Sequence, residues 1–152
     1  MAEGRKVVAS NRRARHNYEI LDTFEAGMVL KGSEVKSLRA SQVQLKDAYA
    51  TLQDGELWLE NAHIAPYSYA TSGGHDPERK RKLLVHRREI DRLTGKVHEQ
   101  GLTLVPLQIY FVHGLAKIEI ALAKGRHTYD KRRKLVERQQ KREMDRARSH
   151  RR

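Results

Sequence analysis

The sequence predicts a mainly β fold: a small closed barrel of about six strands, two or three short helices, and a basic C-terminal tail that is disordered when free. Three observations carry this expectation. β-Branched and aromatic runs with period-two alternation dominate the middle of the chain, helical spacing occurs only briefly, and the positive charge collects at the two ends.

"YEILDTFEAGMVLKG" (18–32) reads as the first strand region. "GSEVKSLR" (32–39) follows as one or two helical turns, with Ser33 as N-cap and Val35 and Leu38 three apart on the apolar side; Lys36 and Arg39 then project from one side. "VQLKDAYATLQDGELWLENAHIAP" (43–66) reads as strands folded back at Asp54-Gly55, a strong hairpin signal. "YSYATSGGHDPERKRK" (67–82) is a Gly/Ser-rich loop ending in a basic run. "HRREIDRLTGKVHEQG" (86–101) carries Ile90, Leu93 and Val97 at helical spacing, with Gly101 as its stop. In "LTLVPLQIYF" (102–111), Val105, Leu107, Ile109 and Phe111 are expected on one face; in "AKIEIAL" (116–122), Ile118, Ile120 and Leu122 share a face while Lys117 and Glu119 point out. Pro106 cannot donate to a ladder, so its strand is expected at an edge or a bulge there. Closure into a barrel is the economical arrangement of such strands because it removes exposed edges.

The chain has 152 residues, the length of one ordinary domain, and a lean 38% hydrophobic content, which fits one compact core with polar extensions. Its formal charge of +12 points to a polyanionic partner. Residues 1–15 carry a net +4, residues 16–123 a net −1 and residues 124–152 a net +9. The expected organisation is therefore a basic N-terminal arm (1–15), a near-neutral barrel (16–123) and a basic tail (124–152). No cysteine is present, so disulfides and thiolate metal sites are excluded; a reducing, cytoplasmic setting is expected. No apolar run suits a signal peptide or a membrane span. Beyond Gly125 only Tyr129, Leu135, Val136 and Met144 are sizeable apolar groups, too few to insert into a lipid surface.

Catalytic patterns are missing. "GMVLKGS" (27–33) has Walker-like glycine spacing but no lysine before Ser33, and there is no nucleophile elbow. The eight histidines show no paired-ligand spacing, so no metal site or cofactor is expected. Asp22, Glu25 and Glu34 are the acids that could converge on Mg²⁺ in a nuclease, although acids around a small barrel are usually solvated or paired with arginine. "NRRARHNY" (11–18) looks made for binding: Arg12, Arg13 and Arg15 for phosphates, Asn11 for base edges, His16 and Tyr18 for stacking. A basic arm running into the first strand is the competing description of the same residues.

"NRRARHNYEILDTFEAGMVLKGSEVKSLRA" (11–40), "RKRKLLVHRREIDRL" (79–93), "LTLVPLQIYF" (102–111) and "ALAKGRHTYDKR" (121–132) together resemble the SmpB family of bacterial SsrA-binding proteins. The resemblance spans nearly the whole chain. It implies an OB-like six-stranded barrel and a protein, not an enzyme, that binds the tRNA-like part of transfer-messenger RNA. It also implies delivery of that RNA to ribosomes stalled without a stop codon, as a monomer. The matching RNA-contact positions are Asn11, His16, Glu25, Lys36, Arg39, Lys117, Lys124 and Arg126; Arg12, Arg13 and Tyr18 join them from the composition of the entry segment. The family commonly has a Lys-rich A-K-G-K-K where this chain has A-K-G-R-H, so Arg126 keeps the charge and neutral His127 does not.

The same resemblance gives the tail a role. Residues 130–152 are good helix formers, with Glu137 and Lys141 at i,i+4, but without an apolar stripe they are marginal as an isolated helix. A channel walled by RNA phosphate would turn their repulsion into attraction. In the family the matching tail lies in the empty messenger-RNA path of the small ribosomal subunit. Tyr129 would then stack at the decoding centre while Asp130, Lys131 and Arg132 anchor the helix start. A ribosomal protein or general RNA chaperone would share the barrel and the basic ends, but it would bind many RNAs alike.

Overall fold

A computed structural model of the chain describes residues 5–67, 74–125 and 139–144. The elements are β1 (Arg5–Ser10), α1 (Arg12–Asn17), β2 (Tyr18–Met28), α2 (Gly32–Arg39), β3 (Val43–Gln44), β4 (Tyr49–Gln53), β5 (Glu56–Glu60), β6 (His63–Ile64), β7 (Arg81–Leu84), α3 (Arg87–Gln100), β8 (Thr103–Val112) and β9 (Leu115–Gly125). Seven strands form one antiparallel sheet in the order β1-β8-β4-β5-β7-β2-β9, and β9 also pairs with β8. The short strands β3 and β6 pair separately. Residues 139–144 of the tail are helical and exposed. The fold is thus mainly β, with helices set against a large antiparallel sheet.

Three elements are not anticipated by the sequence pattern: β1, α1 and β7, the last of which begins inside the basic run (67–82) expected as a loop and is made a strand by its pairing with β5 and β2. β1 lies where a basic arm is expected, because its only buried residue is Val8 and its polar neighbours hide the period; it pairs along β8 from Arg5↔Val112 to Ser10↔Gln108. α1 has no apolar stripe at all. Its one buried side chain, Ala14, packs with Val105, Leu107, Ala121 and Ala123, so tertiary docking rather than propensity holds these six residues helical.

Other elements follow their local chemistry. Asp54 (φ 53°) and Gly55 (φ 74°) both take positive φ between β4 and β5, the two-residue turn whose twist suits a hairpin. Gly101 ends α3 at φ 63°, its N–H donating to Val97 O at 3.0 Å. Pro106 lies at a register shift between Pro106 and Gln108, so the bulge alternative holds; β8 is no edge, pairing with β1, β4 and β9.

That bulge corrects the expected face. Val105 and Leu107 pack under α1, whereas Ile109 and Phe111 enter the main core, because one extra residue inverts the alternation. β9 serves both layers: Ile118, Ile120 and Leu122 face the main core, while Ala121 and Ala123 face α1. Around those isoleucines the main core gathers Leu38, Leu57, Leu59, Ile64, Leu83 and Leu93, all at most 1% exposed.

α2 is fixed by charge as well as by Leu38. Its N-cap is Lys31, not Ser33: Glu34 reaches back to accept the Lys31 N–H at 2.8 Å, while the Ser33 hydroxyl hydrogen-bonds to His75 Nδ1 at 2.8 Å. Glu34 is fully buried and also accepts from Arg79 Nη2 at 2.5 Å and Arg81 Nε at 2.6 Å. Arg81 is equally buried and donates onward to Ala62 O at 2.7 Å and Pro77 O at 3.0 Å. Burial alone would push the Glu34 carboxyl up, but donation from Arg79, the Lys31 amide and Arg81 holds it below its usual value. α2, β7 and the segment before β7 are thereby clasped together.

Candidate nucleic-acid interface

The outer face of β1, β8, β9 and β2 carries the candidate residues Glu25 and Lys117, and α1 packs on the same face. Cross-strand register lines up Val7, Tyr110, Lys117 and Gly27, and in the next row Gln108, Glu119 and Glu25. Since Ile109 and Phe111 point inward, Tyr110 stands on the outer side of β8. Its hydroxyl donates across β9 to Glu25 Oε2, and the Arg5 guanidinium lies 3.6 Å above its ring. Burial first, and then Glu25, push the Tyr110 phenol well above its usual pKa, so it stays a hydrogen-bond donor.

Beside this triad an open groove runs between β2 and the start of α3. Glu25, Gly27, Lys117, His86, Arg87 and Arg88 are among its lining residues. His86 caps α3 and Arg87 and Arg88 open it, so two exposed cations and the positive end of a helix face the same space. At the other end of the sheet face, α1 presents exposed Arg12, Arg13, Arg15 and His16; Arg12 and Arg15 line a smaller hollow with Gln108 and Glu119. Lys124 is exposed on β9 opposite Glu19.

Two residues of the entry segment have internal tasks. Asn11 is only 8% exposed, and its amide donates to Leu45 O at 3.2 Å and Pro106 O at 3.1 Å. It braces the start of α1 against the β8 bulge instead of offering those hydrogens to a base. Tyr18 is half-buried against the Ala14 cluster, so its ring is partly committed to packing.

Lys36 and Arg39 are placed apart from this face by α2. Both are exposed, Lys36 with its ammonium 5.3 Å from the Tyr67 ring and Arg39 with its guanidinium 5.4 Å from the Phe111 ring. Arg126, His127, Tyr129, Asp130, Lys131 and Arg132 lie outside the described residues.

The three acids named as candidate metal ligands do not converge. Asp22 pairs with Arg92 at 3.0 Å, Glu34 with Arg79 and Arg81, and Glu25 with Tyr110. Among the described residues no group of three metal-ligating side chains occurs. None of their helices is long and apolar enough to cross a membrane.

Composition does not single out Arg5, Tyr110, His86, Arg87 or Arg88. Tyr110 was legible in principle: on a strand whose Ile109 and Phe111 face inward, it shares the outer side with Gln108. The arginines opening α3 carry no such sign, since charged residues at a helix start are commonplace.

A sheet face that sets cations around a fixed hydrogen-bond acceptor defines a basic, mainly β protein of the polyanion-binding class. The model of the SmpB protein family matches residues 8–150, and the chain belongs to that family. The SsrA-binding protein of Salinispora arenicola is 60% identical over 145 residues, covering 95% of this chain and 91% of that one. The SsrA-binding protein of Frankia casuarinae is 57% identical over 144 residues, with 95% and 91% covered. A chain in the solved structure described as "tmRNA-SmpB: a journey to the center of the bacterial ribosome" is 58% identical, with a TM-score of 0.65 over 77% of this chain and 82% of that one.

Proposed function

We propose that this protein binds the tRNA-like domain of transfer-messenger RNA and delivers it to stalled ribosomes for trans-translation. The observation that carries the reading is the near full-length match to SsrA-binding proteins at 57–60% identity. The outer sheet face supports it: Lys117, Arg12, Arg13, Arg15 and His16 offer cations and a stacking ring on the surface that also carries Glu25, and Lys124 adds an exposed cation near the end of β9. In this reading Lys36 and Arg39 on α2 and Arg126 beyond β9 extend the RNA contact, and Asn11 and Tyr18 shape the platform from beneath. The pairing of β9 back to β8 supports closure of the sheet into an OB-like barrel. The protein acts in the cytoplasm as a binding and delivery factor, with no catalytic step assigned to it.

The test is to recover and sequence the RNA that copurifies with the protein from its host. One dominant species with a tRNA-like end is the expected result, and bulk ribosomal RNA would overturn it in favour of a general RNA chaperone. The tail is assigned to the empty messenger-RNA path, with Tyr129 at the decoding centre and Asp130, Lys131 and Arg132 anchoring the helix start. Truncation after Gly125 separates this from a nonspecific arm: RNA affinity is largely kept while tagging on stalled ribosomes collapses. A loss of RNA binding equal to the loss of tagging would defeat the assignment.

A further inference from the structure

We infer that Tyr110 is the positioning residue for Glu25, holding one carboxylate oxygen so that the other is presented to the RNA as a fixed acceptor. The inference rests on the reading of Glu25 as part of the RNA interface. Glu25 is exposed on β2 in a groove that also contains Lys117, His86, Arg87 and Arg88. A carboxylate left to itself there would swing onto whichever cation came near, and neutralise a phosphate contact. The structure shows another partner: the Tyr110 hydroxyl donates to Glu25 Oε2.

Tyr110 is itself enclosed. It is 2% exposed, seated on the central strand β8 and covered by the Arg5 guanidinium at 3.6 Å. An enclosed donor therefore fixes a surface acid. Its desolvated phenol keeps the proton at any pH where RNA is handled, so the bond does not titrate away.

The consequence is chemical selection. With Oε2 engaged, Oε1 is the oxygen left to accept from an N–H of a base or a hydroxyl of ribose, and it repels phosphate. The surrounding cations hold the phosphates, and Glu25 sets which part of the nucleotide faces β2. An acid in a basic interface then contributes register rather than opposing binding. Arg5 belongs to the same device, since β1 brings it over the ring; this gives the N-terminal strand a part in recognition that its sequence does not suggest.

The experiment measures affinity for transfer-messenger RNA with Tyr110→Phe, Glu25→Ala and the double variant, together with thermal unfolding and the salt dependence of binding. Phe keeps the ring under Arg5 and removes only the hydroxyl. The expected result is about tenfold weaker binding for Tyr110→Phe, the scale of one hydrogen bond to a charged group, with an unchanged salt slope because no phosphate contact is lost. In the Glu25→Ala background the same change should do little. Wild-type affinity for Tyr110→Phe beside a weakened Glu25→Ala overturns the inference and leaves the interface standing, as does a full Tyr110→Phe effect in the double variant. Wild-type affinity for Glu25→Ala overturns the interface assignment itself, and the inference with it. Should Tyr110→Phe fail to fold, Glu25→Asp serves in its place: one methylene shorter, it keeps the charge but cannot reach the hydroxyl, and it too should bind about tenfold more weakly. Wild-type binding by Glu25→Asp overturns the inference.

Discussion

At the scale of single residues, the most consequential side chains are buried ions. Glu34 and Arg81 are both fully buried, and each is satisfied by the other and by backbone or Arg79. Removing one partner strands a charge where water cannot reach it, so Glu34→Gln should destabilise the fold by about 3 kcal/mol or more, measured by denaturant unfolding. The pH dependence has a definite sign. The Glu34 carboxyl is held below its ordinary 4.5, so its contribution is present in full above the unfolded value and is lost as pH falls through the folded one. Stability of the wild-type protein should therefore decline below about pH 4.5 more steeply than that of Glu34→Gln, which has no carboxyl to protonate there. An equal acid decline in both would place the titration elsewhere.

At the scale of elements, turns and bulges decide which residues meet. The β4–β5 hairpin depends on Gly55 at φ 74°, where a Cβ would meet no neighbour and the whole penalty is backbone strain. Gly55→Ala should then cost roughly 1 to 2 kcal/mol in unfolding free energy. RNA affinity should stay near wild type, because the hairpin carries none of the assigned contacts; a large loss of binding would extend the interface to β4 and β5. The bulge after Pro106 has the opposite importance. By inverting the alternation of β8 it puts Val105 and Leu107 under α1 and leaves Tyr110 facing out, so one irregular residue both seats α1 and aims the phenol at Glu25.

At the scale of the whole molecule, charge distribution governs binding. The body from 16 to 123 is nearly neutral, and the net positive charge sits in residues 1–15 and 124–152. The first segment is drawn into the sheet by β1 and α1, which brings its arginines to the same face as Lys117. An interface that neutralises some six to ten phosphates should lose about 10³-fold or more in affinity between 50 and 200 mM salt. A nearly flat response in a filter-binding titration would contradict a phosphate-dominated surface.

The sequence alone determined the mainly β class, the hairpin at Asp54-Gly55, the extent of α3 with its Gly101 stop, and the separation of charge from core. These are local or compositional properties, written in period, turn chemistry and residue counts over short windows. The motifs around E-A-G and E-V-K-S-L-R also pointed to the family that the matches establish. Tertiary structure alone decided that residues 5–17 join the fold, since β1 and α1 exist only through pairing with β8 and packing on two alanines of β9. It alone turned Asn11 inward, split Val105 and Leu107 from Ile109 and Phe111, and paired Glu34 with two arginines more than 40 residues away. Each of those outcomes depends on which strands become neighbours. Sequence periodicity records which face of an element is apolar, but the partner that covers that face, and the polar atoms that must be satisfied beneath it, are chosen only when the sheet assembles.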